Sequence, residues 1–147
     1  MMKKTLLALC ALTVLSGCCN KKWNRGCHSS HSHRLATGET VWFELNSAAL
    51  SHEATSTLQK QAEWLNSNSS AKAKIEGHAD ERGTREYNLA LGEKRAMAVK
   101  NFLVAQGGVA ANRLSTVSYG KEKPAVLGND ESAWSKNRRS EIVVSGK

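Results

Sequence analysis

Residues 75–84 read IEGHADERGT and mark the point where a strand ends and a helix begins. The segment before the junction, residues 71–77, has the composition of a strand centred on an isoleucine. The segment after it is predicted to be helical from Thr84 to about Gln106, where a glycine pair stops the helix. Charged side chains crowd the junction, and ligand sites of α/β folds often form just past the end of a strand.

Further strands and a further helix are predicted on either side of this junction. Upstream, residues 41–43 are β-branched and aromatic, as in a strand, and Ser51 is a candidate N-cap for a first helix. One face of that helix is expected to carry Ala54, Leu58, Ala62 and Leu65. Downstream we predict a strand at 114–119, a region that is mostly loop at 121–136 and a last strand at 142–144. This order of elements implies a two-layer α/β sandwich.

The N-terminus has the features of a secretory signal. Lys3 and Lys4 form a positive n-region, an uncharged apolar run covers residues 5–15, and small residues then lead to a cysteine. The run is shorter than the roughly 20 apolar residues that a membrane-spanning helix needs. We therefore assign residues 1–17 to a cleaved signal peptide.

The end of this signal, Leu15-Ser16-Gly17-Cys18, resembles the lipobox of bacterial lipoproteins. The resemblance implies that Cys18 is the first residue of the mature protein and carries acyl chains, in which each buried CH₂ contributes about 0.8 kcal/mol to anchoring. Because Cys19 rather than an aspartate follows, it also implies sorting to the outer membrane. Residues 18–38 are polar and are predicted to form a flexible tether, and residues 39–147 a periplasmic domain.

Two features of the tether leave alternatives open. Cys19 and Cys27 could form a disulfide in an oxidising periplasm, although two cysteines in a polar tail indicate little. His28, His31 and His33 lie beside Cys27, and such tracts can bind metal. A structural metal site needs four ligands in a closed arrangement, so we favour a solvated linker and expect no metal or other cofactor.

The net charge and the spacing of the acidic residues reduce the number of function classes that fit the chain. The formal net charge is +8, and +6 once the two lysines of the signal are removed. Export argues against nucleic acid, so a carboxylate-rich envelope polymer is the better partner for this charge. A glycan hydrolase would need two carboxylates that flank a cleft. Asp80 and Glu81 are adjacent and point apart on extended backbone, so we predict no enzyme.

Arg95 falls in the middle of the apolar half of the second predicted helix. A guanidinium cannot escape burial by losing its proton, so it must find an anionic partner or face a polar pocket at the edge of the core. A structural pair with a carboxylate and a fork aimed at a ligand carboxylate explain the position equally well. Together with Asp80, it would suit a zwitterion, whose ammonium and carboxylate groups need opposite partners.

Further blocks follow the junction motif: EYNLALG at 86–92, KRA at 94–96, SYGKEKP at 118–124 and NRR at 137–139. Together they resemble the OmpA-like peptidoglycan-binding domain family over about residues 40–144, and the DERGT form is that of the peptidoglycan-associated lipoproteins. The resemblance implies a βαβαβ-β domain whose helices pack on a mixed four-stranded sheet, an α+β fold. It also implies non-covalent binding of the peptidoglycan stem at its meso-diaminopimelate residue.

The family's binding residues can be placed on this chain by the same motifs. Asp80 matches the aspartate that holds the ligand's ammonium group, Arg95 matches the arginine that holds its carboxylate, and Asn88 matches an asparagine that supports the site. Arg138 matches the first arginine of the family's Asn-Arg-Arg, although either arginine of that pair could face the site.

Two positions of the expected site depart from the family. Asn46 stands where peptidoglycan-associated lipoproteins usually have aspartate, which keeps a hydrogen-bonding group and removes one charge. Leu45 stands where they often have phenylalanine. The resemblance further implies partners in the Tol system, above all TolB, and a role at cell division. An OmpA-like lipoprotein of a different envelope machine is the main alternative.

We expect Cys18→Ala to abolish lipid addition and to move the protein out of the outer-membrane fraction, because the thioether that holds the acyl chains cannot form. Palmitate labelling and membrane fractionation check this, with Cys19→Ala as the matched control that keeps its lipid. If the Cys18→Ala protein still labels with palmitate and pellets with outer membranes, Cys18 is not the lipidated residue.

Overall fold

The computed structural model describes residues 33–34 and 40–145. The signal peptide, Cys18, Cys19, Cys27 and most of the tether, with His28 and His31, lie outside the described residues. The described part contains five strands, three α-helices and one 3-10 turn. The strands are β1 (His33–Arg34), β2 (Val41–Trp42), β3 (Lys72–His78), β4 (Leu114–Gly120) and β5 (Arg139–Ser145). The helices are α1 (His52–Ser67), α2 (Arg85–Ala105) and α3 (Glu131–Asn137), and the 3-10 turn is Ala111–Arg113.

The sheet is mixed and four strands wide. β5 pairs antiparallel with β3, and β3 pairs parallel with β4. β1 and β2 both pair antiparallel with β5, at residues 143–144 and 139–140 respectively, so they share its other edge. The parallel pair β3 and β4 is joined through α2, as a crossover connection requires. The predicted α+β domain with helices on a mixed four-stranded sheet is confirmed.

Both long helices begin where the sequence places them. The Ser51 hydroxyl accepts a hydrogen bond from the Ala54 amide at 3.1 Å, and the Thr84 hydroxyl accepts one from the Tyr87 amide at 3.2 Å. The predicted apolar face of α1 is buried, and it packs with β3, β5 and α2 in one core. The loop before α2 is thereby held at the end of β3.

The prediction that residues 121–136 are mostly loop is wrong for their second half. α3 begins at Glu131, and its N-cap Asp130 accepts a hydrogen bond from the Ala133 amide at 2.9 Å. A helix of seven residues is too short to show a hydrophobic period, and among its residues only Ala133 and Asn137 are buried. β5 also begins at Arg139, earlier than predicted, because its first residues are polar and carry no β-branched signal.

Two residues expected to belong to the tether lie on the sheet. His33 and Arg34 pair through their backbones with Val144 and Val143 of β5. The chain therefore reaches the sheet edge upstream of residue 39, where we had placed the start of the domain.

Helix α2 approaches β3 at two glycines. A Cβ atom placed on Gly77 would lie 1.9 Å from the main-chain oxygen of Gly92, and one placed on Gly92 would lie 2.3 Å from Oγ of Ser118. No side chain fits between the two backbones, so glycine is required at Gly77 by contact rather than by backbone conformation. This close approach sets the position of α2, and with it Asn88 and Arg95.

We expect Gly77→Ala to lower the free energy of unfolding by roughly 3 kcal/mol or more, because the backbones of β3 and α2 must separate. Urea denaturation of the full chain measures it. Gly108→Ala is the matched control: it meets no atom within 4 Å, so only its left-handed backbone, with φ of +68°, opposes alanine. That strain costs roughly 1–2 kcal/mol. Equal losses at both positions would show that the close approach is not maintained in solution.

Candidate functional site

The guanidinium of Arg95 is buried and donates to three main-chain carbonyls. Nε donates to Ser47 O at 2.9 Å, Nη1 to His78 O at 2.8 Å and Nη2 to Glu44 O at 3.0 Å. Its Cζ also lies 5.2 Å from the centroid of the Phe43 ring. The partners in the described residues are backbone dipoles rather than a carboxylate, so a structural pair with a carboxylate does not describe these contacts. A fork aimed at a ligand carboxylate stays a prediction.

The carbonyl contacts leave part of the Arg95 fork available. Guanidinium has five N–H groups, and three are used, so each Nη atom retains one N–H. Burial lowers the pKa of Arg95 to about 10, an effect that the charge of Asp80 partly offsets. The group is therefore still a cation at neutral pH and can attract an anion.

Asp80 lies at the same end of the sheet, 5% exposed. Its Oδ1 accepts hydrogen bonds from the backbone N and Nε of Arg82 at 3.1 and 3.2 Å, and its Oδ2 accepts one from Nη2 of Arg82 at 2.6 Å. Burial alone would raise the pKa of Asp80, but these bonds and the charges of Arg82 and Arg138 together lower it. Asp80 is therefore ionised at neutral pH and is more deeply embedded than a solvated loop residue.

Arg138 completes the group of charges around Asp80. Its Nη1 lies 3.7 Å from Oδ2 of Asp80, its Nη2 donates to Glu131 at 2.5 Å, and its Nε donates to the carbonyl of Phe43 at 3.1 Å. Although Arg138 is only 6% exposed, Nη1 has no hydrogen-bond partner among the described residues. A buried donor without a partner costs about 1–3 kcal/mol, and a ligand oxygen would relieve that cost.

Arg139, the other arginine that could have faced the site, does not contact Asp80 in the described residues. Its Nε donates to Glu141 at 2.6 Å, and its Nη2 donates weakly to the carbonyl of Lys123 at 3.4 Å. The structure thus places Arg138 beside Asp80 and Arg139 with Glu141.

The remaining predicted residues shape the loops around the charges. Asn88 is buried, and its Nδ2 donates to the carbonyl of Arg82 at 2.8 Å, which holds the loop that carries Asp80. Asn46 adopts a left-handed backbone with φ of 52°, a conformation that asparagine tolerates better than most residues. Leu45 is 51% exposed. In the described residues, neither Leu45 nor Asn46 makes a side-chain hydrogen bond to Asp80, but their turn supplies two of the carbonyls that Arg95 holds, from Glu44 and Ser47.

The sequence did not single out Arg82 and Trp134, which form the rim of the site. Cζ of Arg82 lies 4.0 Å from the centroid of a Trp134 ring, and Trp134 Nε1 donates to Glu81 at 3.1 Å. Arg82 is thereby held over Asp80 between the loop and α3. The only available signal was its place within the DERGT motif, because Trp134 is remote in sequence and belongs to the helix that was missed.

The buried part of the site carries excess positive charge, since Arg95 and Arg138 are buried there with Asp80. Three arginines, at positions 82, 95 and 138, surround one buried carboxylate, that of Asp80, and the exposed Glu131. A groove of about 430 Å³ adjoins Arg138 between β2, the start of α1 and α3. The arrangement can bind a group that presents a carboxylate to the arginines and a cation to Asp80.

Two features are absent from the described residues: a cluster of metal ligands and a membrane-spanning helix. No three histidine, cysteine, aspartate or glutamate side chains are grouped as they would be to hold a metal ion. Over the same residues, no helix combines the length and the apolar character needed to cross a membrane.

Known proteins are similar to this chain in sequence and in fold. The model of the OmpA family matches residues 42–138. The peptidoglycan-associated lipoprotein of Mesorhizobium japonicum is 41% identical and covers 96% of this chain and 91% of its own length. That of Haemophilus influenzae is 52% identical over 71% of this chain and 67% of its own length.

Solved structures agree with these relatives. The crystal structure of the peptidoglycan-associated lipoprotein from Burkholderia pseudomallei has a TM-score of 0.69 and 44% identity, over 71% of this chain and 88% of that one. The C-terminal domain of Helicobacter pylori MotB also has a TM-score of 0.69 but 25% identity, over 74% of this chain and 85% of its own.

We expect Arg95→Lys to lower the free energy of unfolding by about 2–4 kcal/mol, although the charge is kept, because an ammonium group cannot reach three carbonyls in the geometry of the guanidinium. Urea denaturation of the full chain measures the loss. Lys94→Ala, at the exposed neighbouring position, is the control and should change stability by less than about 0.5 kcal/mol. An Arg95→Lys protein as stable as the wild type would show that the three hydrogen bonds to carbonyls do not stabilise the fold.

Proposed function

Because the chain belongs to the OmpA family, among its peptidoglycan-associated lipoproteins, we propose that its domain binds peptidoglycan non-covalently at the diaminopimelate residue of the peptide stem. The observation that carries the proposal is the buried carboxylate of Asp80 among three arginines, one of which has a buried N–H group with no hydrogen-bond partner in the described residues. The end of a diaminopimelate side chain carries both an ammonium and a carboxylate, so it needs both signs of charge within one site.

In this proposal the carboxylate of the ligand is held by the arginines. Arg95 has one remaining N–H on each Nη atom, and Nη1 of Arg138 has no partner among the described residues. Hydrogen bonds between a guanidinium and a carboxylate are short and strong, and they are stronger still where water is excluded. Burial of Arg95 and Arg138 therefore supports tight binding of a single carboxylate.

Asp80 is proposed to hold the ammonium of the ligand, in competition with Arg82. A carboxylate has about four acceptor positions, and Arg82 occupies three of them. The ammonium must therefore take the remaining position or displace the side chain of Arg82, which is 34% exposed and can move. Asn88 supports the site indirectly, since it holds the loop of Asp80.

Asn46 and Leu45 are proposed to line the mouth of the site. Both are exposed in the turn whose carbonyls contact Arg95. An asparagine at position 46 can hydrogen-bond to the ligand, but it adds no negative charge to that of Asp80.

We also propose that the protein is anchored in the outer membrane through lipid on Cys18 and holds that membrane to the cell wall. The stretch from Cys18 to the sheet at His33 could span about 50 Å when extended. Residues 1–17 would be removed as the signal peptide, and the tether would run from Cys18 to the strand at His33, ahead of the binding domain that we placed at 39–147. TolB and other Tol proteins are the proposed partners in envelope integrity and division.

Membership of this family agrees with the prediction that the chain binds rather than catalyses. The alternative of a different envelope machine is less well supported, because the peptidoglycan-associated lipoproteins are 41–52% identical and the MotB domain 25%. The DERGT block within this chain also favours the former group.

The decisive experiment compares Asp80→Asn with wild type in a pelleting assay with purified sacculi, using the full chain in detergent. Loss of one partner of a desolvated charge pair costs about 2–5 kcal/mol, so we expect binding to be nearly abolished. Asparagine keeps one acceptor oxygen for Arg82, so this change spares the fold better than alanine does. Free meso-diaminopimelate should compete with sacculi for the wild-type protein.

Glu81→Gln removes a charge from the adjacent, exposed position and is the matched control, which should pellet like the wild type. Circular dichroism verifies that each variant is folded. A folded Asp80→Asn protein that still pellets with sacculi would show that Asp80 does not hold the ligand. A steep loss of wild-type binding across physiological salt would indicate attraction of a basic protein to a polyanion instead of a local site.

A further inference from the structure

The face of the sheet that points away from the helices carries a second cluster of charged and polar side chains. Ala73, Ile75 and Gly77 of β3 face α2 and the core, so the alternate residues Glu76 and His78 point to the opposite face. Glu76 lies directly opposite Glu141 of β5, which places Glu141 and, two residues earlier, Arg139 on the same face. The sheet thus separates this cluster from the core.

These side chains line a cavity that the loop after β4 closes on one side. The cavity has a volume of about 430 Å³, and its charged and polar lining consists of Glu76, His78, Lys123, Arg139 and Glu141. His78 is 2% exposed and Arg139 is 4% exposed. Lys123 comes from the loop, and its Nζ lies 3.6 Å from the centroid of the Tyr119 ring.

Two buried side chains in this lining have hydrogen-bonding atoms without partners in the described residues. They are Nη1 of Arg139 and both ring nitrogens of His78. Each such group costs about 1–3 kcal/mol when it is buried and unmet. A neutral imidazole has one donor and one acceptor, so Arg139 and His78 together offer at least two N–H donors to the cavity.

The charges of the cluster leave a cation in excess. Glu76 is paired with Nζ of Lys74 at 2.7 Å, and Glu141 is paired with Nε of Arg139 at 2.6 Å. Lys123 contacts the Tyr119 ring through Nζ and Arg139 through its carbonyl, and within the described residues no ion pair joins it to a carboxylate. The net field in the cavity therefore favours an anion.

We propose that this cavity is a second binding site, which takes a small oxyanion, a carboxylate or phosphate group, between Arg139, His78 and Lys123. The oxygens accept hydrogen bonds from Nη1 of Arg139 and from the N–H of His78, and Lys123 adds a charge at the mouth. A metal cation is the wrong occupant, because the two carboxylates are already paired with Lys74 and Arg139.

The site is distinct from the cluster around Asp80, although the two share a strand end. The main-chain oxygen of His78 accepts a hydrogen bond from Arg95 on the helix side of the sheet, while its ring lines the cavity on the other side. Arg138 and Arg139 are divided in the same way. The proposal therefore does not depend on peptidoglycan binding at Asp80.

His78 provides an internal reporter for the test. Burial, together with the charge of Arg139, lowers the pKa of His78 to about 4, and the charges of Glu141 and Glu76 only partly oppose this. An anion in the cavity favours the protonated ring, so binding must raise this pKa, and protonation must in turn strengthen binding.

The experiment titrates the full chain, in detergent, with inorganic phosphate and separately with acetate, and follows the ring signals of His78 by NMR. We expect saturable shifts of His78 and an increase in its pKa with at least one anion. His52, which is exposed on α1, is the internal control and should show no saturable shift. Glycerol phosphate and acetyl-alanine then distinguish a lipid headgroup phosphate from a peptide carboxylate as the source of the group.

Two variants keep the proposal falsifiable. Lys123→Gln, at an exposed position, should weaken anion binding on the order of tenfold without changing the fold. His78→Phe retains an aromatic ring beside Tyr119 and should abolish the stabilisation of the fold by anions, measured as the rise in Tm with anion concentration. The absence of saturable His78 shifts with either anion, or equal shifts in wild type and Lys123→Gln, would overturn the proposal. Pelleting of Lys123→Gln with sacculi at the wild-type level would show that the Asp80 site is separate.

Discussion

The burial of the Arg95 guanidinium is the constraint on which the site depends. A permanent cation on the core side of α2 needs hydrogen-bond acceptors, and it finds them in three carbonyls from the end of β3 and the turn after β2. One side chain thus positions two loops against a helix, and the close approach of Gly77 and Gly92 places the helix where it can do so.

The use of carbonyls rather than a carboxylate has an electrostatic consequence. Backbone dipoles satisfy the hydrogen bonding of Arg95 but leave its full charge uncompensated. The charge of Asp80 raises the pKa of Arg95, although no hydrogen bond joins the two side chains in the described residues. Arg82 and Arg138 contact Asp80 more directly. The result is a buried site with one carboxylate and more than one arginine. The arginines can attract an anion, while the carboxylate of Asp80 still offers a negative oxygen to a cation.

The sequence predicts helices that have a hydrophobic period or an N-cap residue. It does not predict contacts between side chains and groups that are distant in the sequence. The wheel of α2 identified Arg95 as anomalous, and the caps at Ser51 and Thr84 located both long helices. The partners of Arg95 could not be foreseen, because carbonyls carry no sequence signal. Arg82 was missed for a related reason: its position over Asp80 depends on Trp134, in a helix too short to reveal itself.

The entry to β5 shows how adjacent residues can serve different sites. Arg138 precedes the strand and turns toward Asp80, while Arg139 begins the strand and points to the helix-free face. Because successive strand residues face opposite sides, a shift of one residue in the register of β5 would exchange the surroundings of Arg138 and Arg139 and take Arg138 away from Asp80. The pairing of β5 with β3 at six positions prevents such a shift. The register of the central strands therefore determines which charged side chains lie on each face of the sheet. Arg95 then determines which loops are held next to the charges on the helix side.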